Sequence, residues 1–121
     1  LLRELKKHNI KMGIATNKVK SAADKLNEIY FEGLIDEVAG VEDGIIPKPD
    51  RCMIDNLMKR LNATTDETLY VGDSQVDVAT ARNTGLDMVA VLWGFRTRKE
   101  LEESGAKVFI DDPMEILDKV L

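Results

Sequence analysis

Three short stretches of the chain bring together residue types that can do chemistry. The first is Thr16-Asn17, a hydroxyl and backbone N–H groups just ahead of a predicted helix. That combination suits a phosphate, because helix N-termini present unsatisfied N–H donors to anions. The same two residues also read as a simple turn and N-cap. The second is Lys48, held between Pro47 and Pro49. On a stiffened loop its ammonium can neutralise a phosphoryl oxygen or pair with a carboxylate, although most lysines are merely solvated. The third is Val71-Gly72-Asp73-Ser74-Gln75-Val76-Asp77. Asp73 falls at a predicted strand end, and Asp77 about one turn into the next helix. Two carboxylates so placed can share a hard cation such as Mg²⁺, which prefers oxygen ligands and keeps several waters. Acids at a helix start also have a purely structural use.

Other reactive types read as structural. His8 is the only histidine and lies near a predicted helix end. Cys52 is the only cysteine, with no base evident nearby, and reads as a small half-buried residue. Trp93-Gly94-Phe95-Arg96 follows a strand, but Arg96, Arg98 and Lys99 read as a solvated loop and helix start.

The elements that position these residues follow from periodicity. Leu1, Leu2 and Leu5 read as the end of an amphipathic helix that Asn9 closes. A strand over 10–15 ends at Thr16-Asn17. Behind it, Ser21 to Asp24 resembles a capping box, and Ala22, Leu26, Ile29 and Tyr30 share one helical face, with Gly33 as the stop. Residues 34–39 form a weaker strand before the turn-rich Gly40-Val41-Glu42-Asp43-Gly44. Ile54, Leu57, Met58 and Leu61 make the next helical face. Residues 68–72 form a buried strand, 76–83 a helix stopped by Gly85, and 87–92 the cleanest strand. Thr97 to Glu100 is a capping box, 108–110 a last strand, and Asp112-Pro113-Met114-Glu115 opens a helix running to Leu121. Strands alternating with helices through short connections predict an α/β fold, a three-layer Rossmann-like parallel sheet. In such sheets ligands bind beyond the carboxyl ends of the strands, where all three stretches lie.

Composition narrows the function. The chain has 121 residues, 44% of them hydrophobic, which is room for one packed domain. There are 22 acidic against 17 basic residues, a net charge of -5, which disfavours nucleic acid and anionic membrane as partners. No apolar run approaches the roughly 18–20 residues that span a bilayer. One cysteine fits a reducing, cytoplasmic location. The chain opens Leu1-Leu2-Arg3, in mid-helix pattern and without an initiator Met. It is therefore expected to be a piece of something longer.

Taken in order, the three stretches resemble the haloacid dehalogenase-like hydrolase superfamily. Ile14-Ala15-Thr16-Asn17-Lys18 is similar to that family's second motif, Pro47-Lys48-Pro49-Asp50 to its third and residues 71–77 to its fourth, with 79–85 matching further. Val41 to Gly44 and the segment from Leu92 to Ala106 look most like phosphoglycolate phosphatases and their relatives. The resemblance implies Mg²⁺-dependent hydrolysis of a small phosphorylated metabolite through an aspartyl-phosphate. It assigns Thr16 and the Asn17 amide to the transferring phosphoryl group and Lys48 to charge neutralisation. Asp73 would ligate Mg²⁺. Asp77 would complete the acidic site, through a water on the metal or by orienting Lys48.

The family's first motif, Asp-x-Asp-x-Thr, occurs nowhere in the chain. It supplies the nucleophile, the general acid/base and one metal ligand, on a central strand next to the second- and fourth-motif strands. Residues 1–121 are thus expected to be a partial core domain lacking that N-terminal strand and the cap, and to be inactive alone. A complementing N-terminal segment would restore the sheet. A smaller departure from the family pattern is Pro49-Asp50-Arg51, where relatives often carry a second proline, so this loop is expected to be less stiff than theirs. Two other readings are open: a non-catalytic phosphate- or Mg²⁺-binding remnant, and a phospho-accepting receiver-like domain. The second is disfavoured because the paired acids come late and Lys48 precedes them. A dinucleotide-binding domain is weaker still, since no Gly-x-Gly-x-x-Gly follows a strand.

Overall fold

A computed structural model describes residues 1–31, 33–94 and 96–120. The predicted alternation is present: α1 (Leu2–Lys7), β1 (Gly13–Val19), α2 (Lys20–Tyr30), β2 (Glu37–Val41), α3 (Cys52–Leu61), a 3₁₀ turn (Thr65–Glu67), β3 (Leu69–Gly72), α4 (Gln75–Thr84), β4 (Asp87–Val91), α5 (Arg98–Glu103), β5 (Phe109–Ile110) and α6 (Glu115–Val120). Every strand pairing is parallel. The strands form two sheets, β1-β2 and β3-β4-β5, and the chain divides into two compact units, Leu1–Ala63 and Thr64–Leu121. Phe95 and Leu121, part of two predicted segments, lie outside the described residues. No described helix is long and apolar enough to cross a membrane.

In unit one the period of two in β2 separates the helices. Ala39 and Val41 pack against Met53, Leu57 and Leu61 of α3, together with Ala15 of β1. Gly40 faces the other way, where a Cβ would stand 2.6 Å from the Lys20 Cα at the start of α2. This close approach is why Gly40 lies inside a strand. Its predicted role as turn punctuation ended β2 too early, and the strand runs on to Val41. Gly13 serves the α3 side, with its Cβ position 2.9 Å from a Leu61 methyl.

Two further expectations are corrected. α2 starts at Lys20, not behind a Ser21 cap: its N-cap is Val19, with no side-chain cap bond, and Asp24 instead pairs with Lys20 at 2.8 Å. Its buried face is centred on Ala23, while Ile29 and Tyr30 are 62% and 70% exposed. The apolar periodicity of this helix therefore does not mark its buried side. β1 also runs beyond Thr16-Asn17, through Val19.

Asp36 ties the start of the chain to the sheet. It accepts from the Met12 N–H at 2.8 Å and from Lys6 of α1 at 2.9 Å. The Met12 N–H and then the Lys6 ammonium hold its carboxyl below the usual aspartate value. An acid whose folded pKa is depressed stabilises above its unfolded pKa and loses that contribution as pH falls through the folded one. Asp36→Asn is expected to cost about 1 kcal/mol at neutral pH. In acid, below about pH 4, the two proteins should converge. Urea titrations at pH 7 and pH 3 check this; an equal difference at both would refute the assignment.

Unit two is built on β4. Ala90 packs with Val78 of α4 and Leu101 of α5, and Met88, Leu92, Ala106 and Phe109 complete the cluster. α4 begins at Gln75 behind Ser74, whose hydroxyl accepts from the Asp77 N–H, and ends at Gly85 in the left-handed conformation, the stop its sequence predicts. The Thr97–Glu100 capping box is present in full. α6 is set by Glu115, whose carboxylate accepts from the Asp111 and Asp112 N–H groups. It starts at Glu115, three residues after the predicted N-cap.

Candidate functional site

In unit one, Thr16 and Asn17 lie within an irregularity of β1. The parallel register holds from Gly13↔Glu37 to Ala15↔Ala39 and resumes at Val19↔Val41. Over that interval β1 advances four residues and β2 two, so Thr16, Asn17 and Lys18 leave the ladder. Bulges of this kind re-aim side chains next to active sites. The Thr16 hydroxyl accepts from the Lys18 N–H at 3.1 Å, which leaves its own proton to donate.

The Asn17 side chain spans 31 residues to the proline-flanked loop. Its Nδ2 donates to the Lys48 carbonyl at 3.0 Å, and the Lys48 N–H donates to its Oδ1 at 2.9 Å. The structure thus brings Thr16-Asn17 and Lys48 together in one unit. Asp50 closes the loop, its carboxylate accepting from the Cys52 N–H at 2.8 Å. Cys52 is half-buried, its Sγ accepting from the Ile46 N–H, and His8 caps α1 at the surface. An open depression of unit one is lined by Val19, Lys20, Asp24, Val41, Glu42 and Asp43. It includes none of Thr16, Asn17 and Lys48, and its three acids make it unsuited to a phosphate.

In unit two, Asp73 and Asp77 flank the strand-to-helix turn but differ in environment. Asp77 is buried at 7% exposure. Its Oδ1 accepts from the Tyr70 hydroxyl at 2.7 Å. Its Oδ2 accepts from the Asp73 N–H at 3.0 Å and the Ser74 hydroxyl at 3.1 Å. Burial, then the adjacent Asp77 carboxylate and its hydrogen bond, raise the Tyr70 pKa well above the ordinary 10.0. Asp73 is half-buried, and its carboxylate has no hydrogen-bond partner among the described residues. It lies against Gly94, where a Cβ would stand 2.4 Å from Asp73 Oδ2.

Among the described residues no three His, Cys, Asp or Glu side chains gather into a metal-binding group. Mg²⁺ asks for less: one or two carboxylates and several waters. The oxygen donor of Asp73 fits that demand, while both oxygens of Asp77 already accept hydrogen bonds from protein donors.

Comparison with known proteins decides the family. Residues 1–91 match the family described as haloacid dehalogenase-like hydrolase. The chain belongs to this family. Among curated relatives, the phosphoglycolate phosphatase of Rhodospirillum rubrum is 35% identical over 93% of this chain and 46% of its own length. The pyrophosphatase PpaX of Bacillus mycoides is 30% identical over 96% of this chain and 54% of its own length. A crystal structure of a "putative phosphoglycolate phosphatase" from Lactobacillus delbrueckii subsp. bulgaricus superposes with a TM-score of 0.95 at 34% identity. It is matched over 99% of this chain and 50% of that one. The chain spans about half the length of the curated relatives it matches.

Two residues of this haloacid dehalogenase-like chain escaped the sequence reading. Tyr70 looked like one apolar residue of a buried strand, and nothing local marks its hydroxyl as the partner of Asp77. Gly94 stood among the polar residues after β4, but its contact with Asp73 joins segments 21 positions apart. The only available signal was a glycine three residues beyond a strand end, a residue type that permits close backbone approach.

Proposed function

We propose that this chain is part of a Mg²⁺-dependent phosphatase of the haloacid dehalogenase type, acting on a small phosphate monoester of the phosphoglycolate kind. The observation that carries this reading is the Asn17–Lys48 pairing, which joins the second and third motif stretches through two hydrogen bonds. Thr16 and the Asn17 amide bind the phosphoryl oxygens, and Lys48 offsets their charge. Asp73 holds the metal, which when bound neutralises charge developing on the phosphoryl group. Asp77 holds the turn that presents Asp73, or reaches the metal through a water. Work of this kind is electrostatic and positional.

The nucleophile is the part this chain does not carry. In the full-length protein a first-motif aspartate attacks phosphorus, and the ester oxygen leaves with a proton from a second aspartate. Water then hydrolyses the acyl phosphate and releases inorganic phosphate. β1 and β3 are each the edge strand of their own sheet. Such edges favour the complementing N-terminal segment that the family resemblance calls for. The lone cysteine supports a reducing, cytoplasmic setting.

The test is hydrolysis of p-nitrophenyl phosphate and of phosphoglycolate. The full-length protein is expected to turn over at least one of them, with activity lost to a chelator and restored by Mg²⁺. The 121-residue chain alone is expected to show none. Metal-dependent hydrolysis by the isolated chain, abolished by Asp73→Ala, would overturn the assignment of the nucleophile. A full-length protein inert toward phosphate esters would overturn the reading itself.

A further inference from the structure

We propose that the side chain of Asn17 is a positioning residue for Lys48, distinct from the phosphoryl-binding role of the Asn17 backbone amide. The proposal rests on the phosphatase reading only for its catalytic consequence. Its structural basis is the two-point contact between one primary amide and one peptide unit: Nδ2 to the Lys48 carbonyl at 3.0 Å and the Lys48 N–H to Oδ1 at 2.9 Å.

A primary amide has a donor and an acceptor side by side. Here both engage the N–H and C=O of the same residue, as a neighbouring strand would. One such bond leaves a loop free to pivot about it, and two fix distance and tilt together. Within the loop the Asp50 N–H donates to the Pro47 carbonyl at 3.2 Å and the Cys52 N–H to the Asp50 carboxylate at 2.8 Å, and the Asn17 amide ties that loop to β1. Pro47 and Pro49 have no N–H to give, so Lys48 supplies the only backbone donor among those three residues. The loop forms no strand. Asn17 is itself placed by the departure of β1 from its ladder after Ala15. The bulge that lifts Thr16 toward a phosphoryl group therefore also aims Asn17 at the loop. One local feature sets the hydroxyl and the lysine in a common frame. A Lys ammonium sits on a flexible four-carbon stem, so fixing its backbone narrows the positions it can reach.

Amide hydrogen exchange of the ¹⁵N-labelled chain reads the contact without any activity. The Lys48 N–H is expected to exchange at least tenfold faster in Asn17→Ala, with Val38 in β2 unchanged as the folding control. Asn17→Asp keeps an acceptor for that N–H and is expected to restore its protection, and it gives the readout if the alanine variant fails to fold. Unchanged Lys48 protection in Asn17→Ala, or none restored by aspartate, would overturn the contact. In the full-length protein, Asn17→Ala is expected to lower kcat about tenfold with KM little changed, and to add nothing to Lys48→Ala. Additive losses, or an unchanged kcat, would overturn the positioning role. Full activity in Lys48→Ala would instead overturn the phosphatase reading and leave the exchange result standing.

Discussion

Asp77→Ala is expected to destabilise unit two by about 3 kcal/mol, because a buried carboxylate that accepts three hydrogen bonds would be lost. The donors are the Tyr70 hydroxyl, the Asp73 N–H and the Ser74 hydroxyl. A buried donor deprived of its acceptor costs about 1–3 kcal/mol, and hydrogen bonds to charged groups lie at the upper end. The site is also tightly closed. A Cβ on Gly72 would stand 2.4 Å from the Asp77 Cβ, so strand and helix meet with no space to rearrange. Total stabilities of small domains are about 5–15 kcal/mol, so the loss is a large fraction. Tyr70→Phe removes one donor and keeps the ring, and should cost about 1–2 kcal/mol. In the double variant the losses should fall short of additive, since the two residues share one bond. Urea unfolding followed by circular dichroism measures all three. A change within 0.5 kcal/mol for Asp77→Ala would show that the carboxylate does not brace this turn.

The same pair sets a dependence on alkaline pH. Tyr70 keeps its proton to higher pH when folded than when unfolded. The unfolded chain releases that proton from about pH 10 upward. It then binds fewer protons than the native state, so stability falls as pH rises beyond 10. Below pH 10 the contribution is whole. Tyr70→Phe should reduce the slope above pH 10, with the difference from wild type shrinking as the pH climbs. A difference that stayed constant from pH 8 to 11 would contradict the pairing.

What the sequence made legible was whatever is local in it. Gly85 and the Thr97–Glu100 box mark their helix ends correctly because a cap is a contact over three or four residues. Asp73 follows β3 directly for a similar reason, since that strand is a short apolar run with an evident stop, whereas Thr16-Asn17 lie inside β1 and Lys48 in a loop beyond β2. Long-range packing erased the signal elsewhere. Gly40 reads as a turn until Lys20 is seen against it. Ser21 and Asp24 have the spacing of a capping box, yet α2 begins two residues too early for Ser21 to cap it. The exposed Ile29 and Tyr30 follow a helical period without being the buried face of their unit. In the site, residue types pointed to Thr16, Asn17, Lys48, Asp73 and Asp77. Types alone could not reveal that Asp77 is consumed by its neighbours while Asp73 is not, or that the Asn17 side chain holds a loop.

That difference between the two aspartates gives the largest expected effect on activity. If Asp73 offers the metal its carboxylate, Asp73→Ala should lower kcat/KM of the full-length protein by at least about 10³-fold, on the order of the loss of a key electrostatic group. Asp77→Asn keeps the size of the side chain and an acceptor, and should lower it far less. Gly94→Ala separates position from identity. A Cβ there would stand 2.4 Å from Asp73 Oδ2, 2.7 Å from its Cβ and 2.9 Å from its Cγ, too close for the present conformation. The collision includes the Asp73 Cβ, which side-chain rotation cannot move, so the backbone of the turn must shift as well. Misplacing a reacting or ligating group by about 1 Å can cost 10²-fold, and Gly94→Ala is expected to fall in that range. The deficit should lie partly in a raised Mg²⁺ requirement, because the carboxylate is intact but displaced. A Mg²⁺ titration of initial rates therefore discriminates. Gly94→Ala should recover part of its activity at high Mg²⁺, and Asp73→Ala should not. Equal activity of Gly94→Ala and wild type at every Mg²⁺ concentration would mean that the Asp73–Gly94 contact does not set the metal ligand.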